Sequence, residues 1–115
     1  MIQAIKILGV PVHAMTMQEA VKTLEERMLA KEQTFVVTAN AEIIMMCQEN
    51  AEYKKIICED AELELPDGAG AVWAGRHLGY KVPERVAGFD LYNELLDLSA
   101  HKGYKAYFFG CSPGI

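Results

Sequence analysis

The sequence predicts an α/β fold: Rossmann-like, with a mostly parallel sheet flanked by helices and a last βα unit that is incomplete. Three observations point there. Short apolar or β-branched runs alternate with stretches of helical periodicity along the chain. The strongest such run, Thr34-Phe35-Val36-Val37-Thr38, is apolar enough for a central parallel strand. A second run, 61–65, is closed by Pro66 and passes through Asp67 into Gly68-Ala69-Gly70, which reads as strand, carboxylate, glycine turn and helix.

With 115 residues, 51% hydrophobic and 23% charged, the chain has an ordinary globular composition and is expected to form a single α/β domain over residues 1–115. A net charge of −5 with no basic stripe argues against non-specific binding to nucleic acid or to an anionic membrane surface. Cys47, Cys58 and Cys111 are odd in number and dispersed, as reduced thiols of a cytoplasmic protein are, and no disulfide is expected. The start lacks the basic and apolar regions of a signal peptide, and no segment reaches the ~18 apolar residues of a membrane span.

In order, residues 5–12 read as one irregular or edge strand, broken by Gly9 and Pro11. Thr16-Met17-Gln18-Glu19 is a capping box that opens a helix, with Met17, Ala20, Val21, Leu24 and Met28 at helical spacing on its apolar face. After the strand over 34–38, residues 41–49 are helical, and Asn50 caps a further turn or two through 57. Beyond the 61–65 strand a helix runs over 69–78 and ends on Gly79. The 80–89 segment is a long loop carrying a Glu84-Arg85 pair, and 90–102 is an amphipathic helix closed by Gly103. A strand over 104–109 leads into Gly110-Cys111-Ser112-Pro113-Gly114-Ile115, a glycine-rich turn of the phosphate-binding type with no helix after it. The chain therefore reads as the first part of a longer protein. Aromatic residues of the unfinished unit are expected to stay exposed until covered by self-association or by further chain.

Thr38, Asn40 and Asp67 fall at the carboxyl ends of two predicted parallel strands, where ligands bind in open α/β sheets. A cleft lined by all three is expected. Each has a plainer reading: Asp67 as turn former and helix cap, Asn40 as a cap alone. Arg85 has the planar fork that suits phosphate, or is a solvated surface cation. His13, His77 and His101 are scattered and read as structural or solvated.

Four motifs together carry a resemblance. Thr38-Ala39-Asn40, Pro66-Asp67-Gly68-Ala69-Gly70, Glu84-Arg85-Val86-Ala87-Gly88-Phe89-Asp90 and Phe109-Gly110-Cys111-Ser112-Pro113-Gly114 are similar in order and spacing to the bacterial WecG/TagA/CpsF glycosyltransferases. The resemblance covers the whole chain, including Leu8-Gly9-Val10-Pro11-Val12 with Met15-Thr16. It implies a transferase that moves N-acetylmannosamine, or its uronate, from a UDP-sugar to N-acetylglucosamine on a lipid diphosphate, inverting the anomeric centre without a metal. In the TagA branch this builds the wall teichoic acid linkage unit. It also implies Asp67 as general base, Thr38, Asn40 and Arg85 at the sugar and acceptor pocket, and nucleotide contacts from Gly110, Ser112 and Gly114. No cofactor is implied; the setting is a homo-oligomer, peripheral to the inner face of the membrane through a C-terminal segment beyond this chain. Cys111 departs from the small residue usual at its position. The alternative from another class is a non-catalytic nucleotide-binding α/β module that uses the 110–114 loop for phosphate and Asp67 only as a cap.

Overall fold

The structure, a computed structural model, describes residues 2–114. The chain opens with β1 (Gln3–Ile7) and β2 (Val10–Ala14), an antiparallel pair in which Ile5 faces Val12 and Ile7 faces Val10. The single irregular strand expected over 5–12 is thus a hairpin. Its two-residue turn is Leu8-Gly9 with φ of 50° and 79°, the pair of positive values that matches the twist of the flanking strands. Pro11 is accommodated opposite Lys6 because in a two-stranded sheet each strand keeps one edge outside the ladder.

Helix α1 (Met17–Leu29) starts on the expected capping box: Glu19 N donates to Thr16 Oγ1 at 3.2 Å and Thr16 N donates to Glu19 Oε1 at 3.0 Å. Then come β3 (Val36–Thr38), α2 (Ala41–Glu49), α3 (Ala51–Lys55), a π-helical turn (Ile56–Asp60), β4 (Leu63–Leu65), α4 (Ala69–His77) and α5 (Gly88–Lys102). β3 and β4 pair in parallel, Val36 with Leu63 and Thr38 with Leu65, making the fold a mixed α/β one with a small parallel sheet and flanking helices. Among the described residues no helix is long and apolar enough to cross a membrane.

Alternation along the parallel strands feeds two cores. Val37 joins the hairpin residues Ile5, Ile7, Val10 and Val12 on one side. Leu63 and Leu65 join Met15, Ala20, Val86 and Leu91 on the other, beneath α1 and α5. Helix α4 presses closely on the first core, since a Cβ on Gly75 would come 2.8 Å from Val82 Cγ2 and 3.1 Å from Ile5 Cδ1.

At the far end of the chain, Glu25 Oε2 of α1 accepts from Lys102 Nζ and from the Tyr104 hydroxyl, both at 2.9 Å. These two donors hold the Glu25 carboxyl below its usual range, and Glu25 in turn raises the Lys102 ammonium. The strand expected over 104–109 does not form. No ladder partner lies beside it among the described residues, and Tyr107, Phe108 and Phe109 stand exposed, Phe109 at 92%. The exposure expected of an unfinished unit is therefore present without the strand.

Hairpin and parallel sheet meet at β2 and β4 through a side chain. Glu64, 1% exposed, donates its backbone N–H to His13 Nδ1 at 3.0 Å and sets Oε2 3.1 Å from the same nitrogen. One ring nitrogen can accept from the amide or donate to the carboxylate, not both. Glu64 Oε1 is buried without a partner among the described residues, so His13 is the group that makes this seam tolerable. Replacing His13 by Ala should cost about 1–3 kcal/mol, because whichever of the buried amide and carboxylate bonds Nδ1 loses that partner. A urea titration should show the midpoint falling with the slope unchanged.

Candidate active site at the parallel strand ends

Because β3 and β4 run the same way, the residues that follow them emerge together. Asn40 caps α2, its Oδ1 accepting from Ile43 N at 2.9 Å, while its side-chain amide donates no hydrogen bond among the described residues. Ala39 N donates to Leu65 O at 2.9 Å and carries the pairing one residue past β3. On the neighbouring turn, Gly68 takes a φ of 86° at the N-cap of α4, a conformation open to glycine, and makes no side-chain cap. A Cβ there would lie 3.8 Å from Asn40 Cβ, so the two turns are in contact.

Asp67 does not cap α4. Its Oδ2 instead accepts from the backbone N–H of Gly88, the first residue of α5, at 3.1 Å. A carboxylate at a helix N-terminus answers both an orphan amide and the helix dipole. Oδ1 accepts no hydrogen bond among the described residues. The Gly88 backbone sits so close that an added Cβ would collide with Thr38 Cγ2 and lie 3.5 Å from Asp67 Oδ2. Thr38 and Asp67 thus both flank the Gly88 backbone, Asn40 adjoins Gly68 on the neighbouring turn, and all three are half-buried. Gly88 is the member that sequence reasoning left in a loop; α5 begins two residues before the expected 90. The motif that holds Gly88 was visible, but nothing local marked its amide as the partner of Asp67.

Arg85 and Glu84 do not pair. Glu84 Oε1 accepts from Met17 N at 2.6 Å, at the start of α1, and Arg85 is exposed with no hydrogen bond or ion pair among the described residues. It lines a groove along α4 with Ala69, Val72, Trp73, Arg76 and His77. Gly110, Ser112 and Gly114 are exposed, and a Cβ on either glycine would meet open space. Of the thiols, Cys47 is buried, which pushes its pKa up, and Cys111 is exposed.

Residues 5–115 match the glycosyl transferase WecG/TagA/CpsF family. The chain belongs to this family. Over 81 residues it is 36% identical to the N-acetylglucosaminyldiphosphoundecaprenol N-acetyl-beta-D-mannosaminyltransferase of Bacillus spizizenii, covering 70% of this chain and 31% of that protein. It is 29% identical over 111 residues to the protein of the same name from Staphylococcus aureus strain NCTC 8325, covering 94% of this chain and 43% of the other. The chain spans less than half the length of these relatives.

In this member of the WecG/TagA/CpsF family the approach of Gly88 to Thr38 should be intolerant of a single methyl. Gly88→Ala should destabilise by about 1–3 kcal/mol through overpacking, although alanine is the better helix former. Gly70→Ala is the control, as its Cβ would sit at an ordinary 3.4 Å from Ala41 Cβ. Thermal unfolding of the two variants should separate them, with only the first clearly lowered.

Proposed function

We propose that this α/β domain belongs to an inverting glycosyltransferase that moves N-acetylmannosamine from UDP-N-acetylmannosamine to the 4-hydroxyl of N-acetylglucosamine on undecaprenyl diphosphate, the linkage unit of wall teichoic acid. The observation that carries the reading is the half-buried pair Thr38 and Asp67 around Gly88, with Asn40 beside the adjoining turn and, among the described residues, one carboxylate oxygen of Asp67 engaged by Gly88 and the other unengaged. The names of the relatives support the donor and acceptor classes.

In this mechanism Asp67 takes the proton of the acceptor hydroxyl as that oxygen attacks the anomeric carbon. The new C–O bond forms on the face opposite the departing UDP, whose C–O bond breaks with its electron pair, so the configuration inverts. UDP leaves as an anion and needs no proton, so a single carboxylate is enough. The Gly88 amide fixes the carboxylate in direction, leaving Oδ1 as the basic atom. In this reading the amide of Asn40 and the hydroxyl of Thr38 hold the transferred sugar, and Arg85 with Gly110, Ser112 and Gly114 meets phosphate charge. A lipid-linked acceptor puts the working enzyme, a homo-oligomer, at the inner face of the membrane as a peripheral protein.

Asp67→Asn in the full chain should lower turnover about 10²–10⁴-fold while UDP-sugar affinity stays nearly unchanged, because Asn keeps the size and the acceptor for the Gly88 amide. Product mass with a lipid-diphosphate N-acetylglucosamine acceptor gives turnover, and calorimetry with UDP-N-acetylmannosamine gives affinity. Turnover within a few-fold of the unsubstituted protein would leave Asp67 as a cap for α5 and nothing more.

A further inference from the structure

Beside the strand-end cluster lies a groove of which the mechanism above uses only Arg85. Along α4 and the 80–87 segment runs an open groove of about 510 Å³, lined by Ala69, Val72, Trp73, Arg76, His77 and Arg85. It starts at Ala69, two residues beyond Asp67, and shares with the strand-end site the stretch that leads from Arg85 to Gly88.

Its chemistry is one-sided. The chain carries a net charge of −5, yet among the described residues no carboxylate lines this groove and two guanidinium groups do. The nearest candidate counter-ion by sequence, Glu84, is turned away to the first turn of α1. Arg76 is held in place: its Nε and Nη2 donate to Val82 O at 3.1 and 2.9 Å, and Nη2 also reaches Pro83 O at 3.4 Å. Its charge is thereby fixed at the groove wall without being neutralised, since carbonyls are dipoles and not anions. Arg85, unpaired, is the adjustable partner.

The remaining wall is aromatic and apolar. Trp73 stacks on His77 with ring centroids 4.8 Å apart and planes 9° from parallel, and Trp73 is still 65% exposed. An indole braced on one face and bare elsewhere is a platform for a second flat or apolar group. Two fixed cations beside such a platform match an anion that carries an apolar or planar substituent.

We infer that the groove formed by Trp73, Arg76, His77 and Arg85 binds a diphosphate ester, the phosphates on the two guanidinium groups and the esterified group against Trp73. The choice of ligand rests on the transferase reading, in which both donor and acceptor are diphosphate esters; the groove itself does not depend on Asp67. A nucleoside diphosphate and a prenyl diphosphate share this chemistry, and they differ in what they lay against the indole.

Trp73 is the one tryptophan in the sequence, so it reports its own site. The full chain is titrated with inorganic pyrophosphate, UDP and geranyl diphosphate while tryptophan emission is followed, with Trp73→Phe as the control that must abolish the change. At least one ester should alter Trp73 emission, bind more tightly than pyrophosphate, and lose about tenfold or more in affinity in Arg85→Ala, the loss expected of one charge-assisted contact. A preference for UDP assigns the groove to the donor side, and a preference for geranyl diphosphate assigns it to the acceptor side. No Trp73-dependent change with any of the three, or equal affinity in Arg85→Ala, overturns the assignment. Arg85 is exposed and unpaired among the described residues, so loss of folding is not expected to cloud the result, and circular dichroism checks it. Because binding is read without turnover, failure here leaves the Asp67 experiment standing, and failure of that experiment leaves this one.

Discussion

The parallel pairing of β3 with β4 is the constraint on which the rest of the structure depends. Each strand is only three residues long, and the ladder between them is extended by a single bond past Thr38. A parallel ladder delivers both strands to the same end of the sheet, whereas an antiparallel one would have sent Asn40 and Asp67 to opposite ends. All three residues of β4 are buried, and the strand is clamped between two cores, so the short ladder does not stand alone. The helices that follow, α2 and α4, inherit their starting points from it.

In the proposed mechanism Asp67 combines a structural and a chemical role in one side chain. Its bond to the Gly88 amide serves the first turn of α5, and the same bond fixes the direction in which the second oxygen points. A carboxylate free to rotate would have to lose that freedom in each reaction cycle. Here the orientation is set when the protein folds. The contact between Gly88 and Thr38 enforces it from the other side, because the backbone of α5 has no room to shift toward β3.

Much of this was legible in the sequence, for reasons of different range. The capping box at Thr16, the α2 cap at Asn40 and the Pro66 stop depend on neighbours within a few residues, and they were read correctly. The convergence of Thr38, Asn40 and Asp67 follows from strand direction, which composition predicted. The hairpin is harder to read because Gly9 and Pro11 look like interruptions of one strand, although Ile5, Ile7, Val10 and Val12 have the alternation of two strands around a turn. The 104–109 segment has strand composition and no strand, since a ladder needs a partner that local sequence cannot supply. The bonds from Gly88 to Asp67 and from Glu64 to His13 join residues 21 and 51 positions apart, and no periodicity encodes them.

The separation between paired residues also sets an order in time. In the hairpin, Ile7 and Val10 meet across a two-residue turn, a contact that costs little chain entropy to close. Val36 reaches Leu63 only after α2, α3 and the π-helical turn have been laid between them. Contacts of that span form more slowly than local ones. By this measure the hairpin is expected to form early, and the juxtaposition of Asn40 with Asp67 late, in each newly made chain.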